Sequence, residues 1–220
     1  MPLRLEAQHW SGPLLCSPPP DGWLAGNFNF MEYHRPLQLI RDRVVDVWIA
    51  SYPDVPSGDD PDLVSIPLSR MPVFLVVQEG HPLLGLGDRV SLDVVARYPL
   101  LPLPEGAFPK FQKVLEHCGL WSKSVKSSWK GRDNLEDLVV GYSTPLALPL
   151  YGDKIRTLPL RMPVSVGDAL VVAREYADSP QVRDLASLLR ARLEALALAT
   201  EEVEVLYQAA DQFTLHPGGL

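Results

Sequence analysis

The sequence predicts an α/β fold of two lobes joined by two crossing strands, with a cleft between the lobes. Three observations carry that expectation. Short runs with strand periodicity alternate with helical ones along the chain, the rhythm of a sheet built through parallel crossovers. The alternation falls into two similar clusters set apart by apolar runs near Val73 and Ala169. The chain also carries 22 prolines in 220 residues, about twice average usage, which calls for many short elements and disfavours a helix bundle.

Leu3 to Ala7 alternates apolar and polar residues and opens the fold as a half-buried strand. Between Ser11 and Gly26, Pro13, Pro18, Pro19 and Pro20 exclude a regular helix throughout. A second strand is expected over Phe28 to Glu32, a short helix over Pro36 to Arg43 that begins at its proline, and a third strand over Val44 to Ile49. After a polar turn from Tyr52 to Pro61, Leu63 to Leu68 and Val73 to Gln78 read as strands, and His81-Pro82 ends the run. Ser91 is the N-cap candidate of a short helix to Ala96, and Pro99 to Leu103 is an apolar strand. Phe108, Phe111, Val114, Leu115 and Cys118 recur at helical spacing, and Gly119 supplies the stop. A strand over Lys123 to Lys130, a helix over Asn134 to Tyr142 and a late strand over Ala169 to Ala173 follow. Val182, Leu185, Leu189, Leu193 and Leu196 mark a long amphipathic closing helix, and the last few residues, ending in Pro217-Gly218-Gly219, read as frayed.

Composition narrows the function. Hydrophobic residues at 46% and charged residues at 21% are globular values, enough to bury a core. The net charge of -7 repels nucleic-acid phosphates and anionic membrane surfaces. Cys16 and Cys118 form no Cys-x-x-Cys motif, so free thiols in a reducing compartment are expected, with no structural zinc. Leu14-Leu15-Cys16 mimics a lipoprotein signal, yet His9, Trp10, Ser11 and Pro13 interrupt the apolar run a signal needs. No stretch reaches the roughly 20 apolar residues of a membrane span. A cytoplasmic protein without membrane contact is expected.

Chemistry-bearing motifs are sparse. Gly141-Tyr142-Ser143-Thr144-Pro145 lacks the last glycine of a nucleophile elbow, and no acid-base pair is placed to serve an enzyme. His9, His34, His81, His117 and His216 form no i, i+4 pair, so no metal site is expected. Gly85-Leu86-Gly87 lacks the third glycine of a dinucleotide loop and reads as a turn, and no cofactor is implied.

Several runs in order carry a family resemblance. LQLIRDRVVDVWIA from Leu37 to Ala50 resembles the segment in which LysR-type regulators leave a helix and enter a strand, with Val44 at the usual glycine. FLVVQEGHPL from Phe74 to Leu83, Val90 to Asp93, Tyr98 to Leu101, GYSTPLALP from Gly141 to Pro149 and Ser179-Pro180 continue the likeness over roughly Leu3 to Leu196. The resemblance implies the effector-sensing domain of a LysR-type transcriptional regulator: two Rossmann-like lobes of the type 2 periplasmic-binding-protein kind, working as a homodimer. It implies a first lobe over 1–72 and 176–200, a second over 73–175 and a C-terminal tail over 201–220. The family's winged helix-turn-helix is not read in these residues, so DNA would be reached only through another segment.

The resemblance also places the site. His9, Trp10 and Ser11 would follow the first strand into the cleft, and Ser51 and Tyr52 the third. Glu105, Gly106, Phe108, Gly131, Arg132 and Asn134 would face them from the second lobe. Arg132 is the best anion contact, because a guanidinium grips a carboxylate bidentately, although an ion pair with Asp133 or Glu136 is open to it. In the family a helix N-terminus after the first strand faces the cleft. The prolines from Pro13 to Pro20 break that helix here and weaken its attraction for an anion. Three readings stay open: a sensor of a small-molecule effector, a stand-alone relative whose degenerate cleft leaves a dimerising interaction module, and an enzyme on the same fold.

Overall fold

The computed structural model describes residues 3–7, 23–25, 34–103, 106–121, 138–148, 152–198 and 202–207. Its strands are β1 (Leu3–Ala7), β2 (Trp23–Ala25), β3 (Val47–Tyr52), β4 (Leu63–Pro67), β5 (Ser69–Gln78), β6 (Gly141–Ser143), β7 (Ile155–Ala173) and β8 (Glu204–Val205). The helices are α1 (His34–Arg41), α2 (Leu92–Val95), α3 (Pro109–His117) and α4 (Pro180–Ala197). The strands run in the order β2-β1-β3-β7-β5-β6, with β4 on the other edge of β7 and β8 on β5. Among the described strands, those of the β2-β1-β3 end pair in parallel, whereas β7 is antiparallel to β3, β4 and β5.

β7 ties the halves together. Its last residues, Gly167 to Ala173, lie between β3 and β4, while Ile155 to Val166 pair with β5. Against β5, the register jumps between the Pro72–Ser165 and Phe74–Arg161 pairs and again before Val76–Thr157, so β7 twice carries extra residues. Pro163 and Pro159 fall in those two irregular stretches. A proline has no ladder donor, and a bulge is where a strand tolerates one.

Side-chain period builds the first lobe from both faces of this sheet. In β3, Val47 and Ile49 point to α4 and pack with Val182, Leu185 and Leu189, whereas Trp48 and Ala50 point to α1 and pack with Leu37 and Ile40. β7 splits the same way, with Leu170 and Val172 on one side and Ala169, Val171 and Ala173 on the other. A strand covered on both faces must be continuously apolar. The second lobe has its own core, in which Val73, Leu75, Leu100, Phe111, Leu115, Leu120, Val140 and Leu158 are buried together.

Several sequence expectations are corrected. The short helix spans His34–Arg41 and starts before Pro36. Arg43, at φ +58, turns the chain before Val47, leaving Val44 46% exposed instead of in a strand. Pro99 to Leu103 contributes one bridge, Leu100 to Val140, because the chain passes the sheet rather than joining it. Residues 138–140 are not helical, and Gly141 to Ser143 form β6 on β5; Val139, Val140 and Tyr142 are buried there while Leu138 is 51% exposed. The late strand at Ala169 is the end of a 19-residue one. The expected strands at Phe28 to Glu32 and Lys123 to Lys130 lie outside the described residues, as does the proline stretch.

Other expectations hold. Ser179 caps α4, its Oγ accepting the Val182 N–H at 3.3 Å, with Pro180 in the first turn. Gly119 ends α3 at φ +70. His81 opens a 3-10 stretch, Pro82–Arg89, its Nδ1 accepting the Leu83 N–H at 3.1 Å. Ser91 precedes α2 without a side-chain cap bond.

Candidate functional site

Where β3 ends, Ser51 and Tyr52 stand opposite Asp168 and Gly167 of β7, beside the point at which β7 passes toward the second lobe. The chain then turns, and Asp54 enters the gap between the lobes. Asp54 is fully buried. Its Oδ1 accepts the Lys110 N–H at 2.6 Å and its Oδ2 the Phe111 N–H at 3.2 Å, both at the start of α3. The Lys110 ammonium donates in return to the Val55 carbonyl.

This pairing answers a deficiency in α3. The first amides of a helix need acceptors, which an N-cap Asp, Ser or Asn commonly supplies to the second and third helical residues. Here the N-cap residue is Phe108, which makes no side-chain cap bond. Asp54 caps the same two amides from the other lobe. Burial pushes its carboxyl up to about 6, against the lowering effect of the two amides and of Lys110.

A cavity of about 20 Å³ adjoins this contact, room for about one water molecule. Ser51, Tyr52, Asp54 and Thr144 give it polar groups; Met71, Phe108, Phe111 and Val166 give it apolar walls, and Gly167 closes one side. Burial also raises the Tyr52 hydroxyl pKa, so Tyr52 is a neutral hydrogen-bonding group. The cavity therefore leaves room for about one small polar group beside Asp54.

Of the residues placed by resemblance, Ser51, Tyr52 and Phe108 line this cavity. Gly106, at φ +70 and exposed, sits on the loop before α3 and does not line it. His9, Trp10, Ser11, Glu105, Gly131, Arg132 and Asn134 lie outside the described residues. Sequence reasoning missed Asp54 and Thr144. The available signal for Asp54 was a helix beginning Phe108-Pro109 with nothing at hand to cap it. Among the described residues, no group of three or more His, Cys, Asp or Glu is gathered as a metal would require.

A wider surface hollow of about 520 Å³ lies at the opposite end of β7's first-lobe stretch, ringed by Arg41, Arg43 and Arg174. All three guanidinium groups are engaged: Arg41 by Asp60 at 2.8 Å, Arg43 by Glu175 at 2.6 Å and Arg174 by the Pro61 carbonyl at 2.9 Å. The hollow is therefore a braced surface.

Two lobes, strands crossing between them and a buried contact in the cleft define the type 2 periplasmic-binding-protein class. Residues 27–121 match the family model of the LysR substrate binding domain, in agreement with the resemblance read from the sequence. The fold is similar to that of a cysteine mutant of OxyR from Corynebacterium glutamicum, with TM-score 0.67 and 18% identity over 91% of this chain and 66% of that one. It is similar to reduced OxyR from N. meningitidis, with TM-score 0.68 and 17% identity over 93% of this chain and 98% of that one. It is also similar to the cofactor-binding domain of the Cbl transcriptional regulator, with TM-score 0.62 and 19% identity over 86% and 87%. The chain thus spans just under two thirds of the first of these structures and nearly all of the second. No curated protein matches it significantly.

Proposed function

We propose that this chain is the small-molecule effector-sensing domain of a LysR-type transcriptional regulator, a cytoplasmic homodimer whose DNA contact is made by a segment other than these residues. The observation that carries the reading is the cleft cavity, to which one lobe brings Ser51 and Tyr52 and the other Phe108, Phe111 and Thr144. A ligand touching both lobes biases their closure, and closure is a change that an attached DNA-binding segment can read. Arg132, Asn134, Gly131 and Glu105, together with His9, Trp10 and Ser11, remain proposed ligand contacts.

One observation favours the second reading, a protein-interaction module with a degenerate cleft: side chains already fill the cleft down to the volume of one water. Melting temperature against organic acids, amino acids, sugar phosphates and aromatic metabolites separates the two. Ligand at about 100 times its dissociation constant adds roughly 2.7 kcal/mol, a shift of several degrees. A saturable shift diminished in Tyr52→Ala or Arg132→Ala supports the sensor. Dimerisation in sedimentation without any ligand shift supports the interaction module.

A further inference from the structure

We propose that Asp54 is a resident anion: its carboxylate fills the anion-binding position at the start of α3 and fastens the lobes across the cleft, so that an acidic ligand enters only by displacing it.

The chemistry of the contact is that of a bound carboxylate. The two amides of Lys110 and Phe111 point at its two oxygens, at 2.6 and 3.2 Å, from the positive end of a nine-residue helix. These donors are 56 and 57 residues away in sequence, and Phe111 belongs to the core of the other lobe. The carboxylate is sealed from solvent, and the Lys110 ammonium returns to the Val55 carbonyl, so the same two segments are tied twice. With about 20 Å³ of space remaining beside it, no second carboxylate can reach those amides while Asp54 is in place. The consequence for ligand choice rests on the effector-domain reading; the occupancy of the anion position does not.

The test uses the whole chain as wild type, Asp54→Ala and Asp54→Asn, with sodium formate as the smallest free carboxylate, formamide as its neutral counterpart and sodium chloride at matched ionic strength. At pH 7.5, formate is expected to raise the melting temperature of Asp54→Ala saturably and by several degrees, while leaving wild type unmoved beyond the chloride control and formamide without effect on either. Equal formate shifts in wild type and variant, or none in a folded Asp54→Ala, overturn the proposal. Should Asp54→Ala not fold, Asp54→Asn keeps the volume and removes the charge. Formate is then expected to leave Asp54→Asn unmoved beyond the chloride control, because the side chain still fills the position, and a saturable formate shift in Asp54→Asn overturns the proposal. Formate rescue without any hit in the wild-type ligand panel rejects the sensor reading alone, whereas a panel hit without formate rescue rejects the resident anion alone.

Discussion

Replacing Asp54 with Asn should remove a distinct pH dependence from the stability of this fold. Burial holds the Asp54 carboxyl at about 6 in the folded chain, against an ordinary value of 3.8. The sign follows from proton binding. The folded state holds the proton more tightly, so the stability it contributes is complete below 3.8 and is lost as pH rises through 6. A gap of about two units corresponds to about 3 kcal/mol, of which about 2 kcal/mol falls between pH 4.5 and 7.5. For a chain of this length that is a melting-temperature difference of roughly 4 to 8 °C. Among the described residues, Tyr52 from β3 and Lys110 from α3 are the ionisable groups facing Asp54. Burial moves Tyr52 upward, away from this window, while Lys110 favours the carboxylate form. Urea unfolding of wild type and Asp54→Asn at half-unit steps isolates the Asp54 contribution, because every other titrating group is common to both. The wild type should gain on the variant as the solution is acidified. Parallel profiles, or a wild type that loses ground in acid, would refute the reasoning.

Other perturbations follow from particular contacts. Ser69 Oγ donates to Asp168 Oδ2 at 2.7 Å and accepts the Asp168 N–H at 3.0 Å where β5 meets β7, with both residues buried. Ser69→Ala should cost about 1 to 3 kcal/mol in urea unfolding, the range for buried polar groups deprived of a partner. Arg190 on α4 donates to the carbonyls of Leu206 at 2.6 Å and Pro67 at 2.9 Å and lies over the Tyr207 ring, pinning the segment around β8. Arg190→Ala should therefore expose the chain near Leu206 to limited proteolysis while the two cores stay folded; an unchanged digestion pattern would count against that role. Gly119 sits at φ +70 with no atom within 4 Å of an added Cβ, so Gly119→Ala should cost about 1 kcal/mol through backbone strain alone, and Gly119→Asn less.

The parts of the fold visible in the sequence are those whose periodicity is uninterrupted. The apolar run of β3 and the spacing from Val182 to Leu193 are each the direct imprint of a neighbour: two covered sheet faces in one case, one covered helix face in the other. In the sequence β7 declares itself only at Ala169 to Ala173, although Leu158, Leu160, Met162, Val164 and Val166 alternate as a strand does. Pro159 and Pro163, normally evidence against a strand, concealed it because they occupy bulges. Leu138, Val139 and Val140 match helix and strand templates equally at that length, and pairing with Pro99 and Leu101 decided the matter. The site was legible only in part. Ser51, Tyr52 and Phe108, placed in the cleft by the family resemblance, line the cavity. Asp54 is not legible, because its partners are distant in sequence and its own surroundings, Tyr52-Pro53 before and Val55-Pro56 after, read as a plain turn.

That a ligand is sensed between the lobes is tested most directly by hydrogen exchange on the whole chain, with and without the compound giving the largest saturable stabilisation in the ligand panel. Protection is predicted together at the end of β3, from Ile49 to Val55, and at the start of α3, from Phe108 to Phe111, since both segments contribute to one cleft. Protection confined to one of these segments, or a panel in which no compound stabilises saturably, would contradict it.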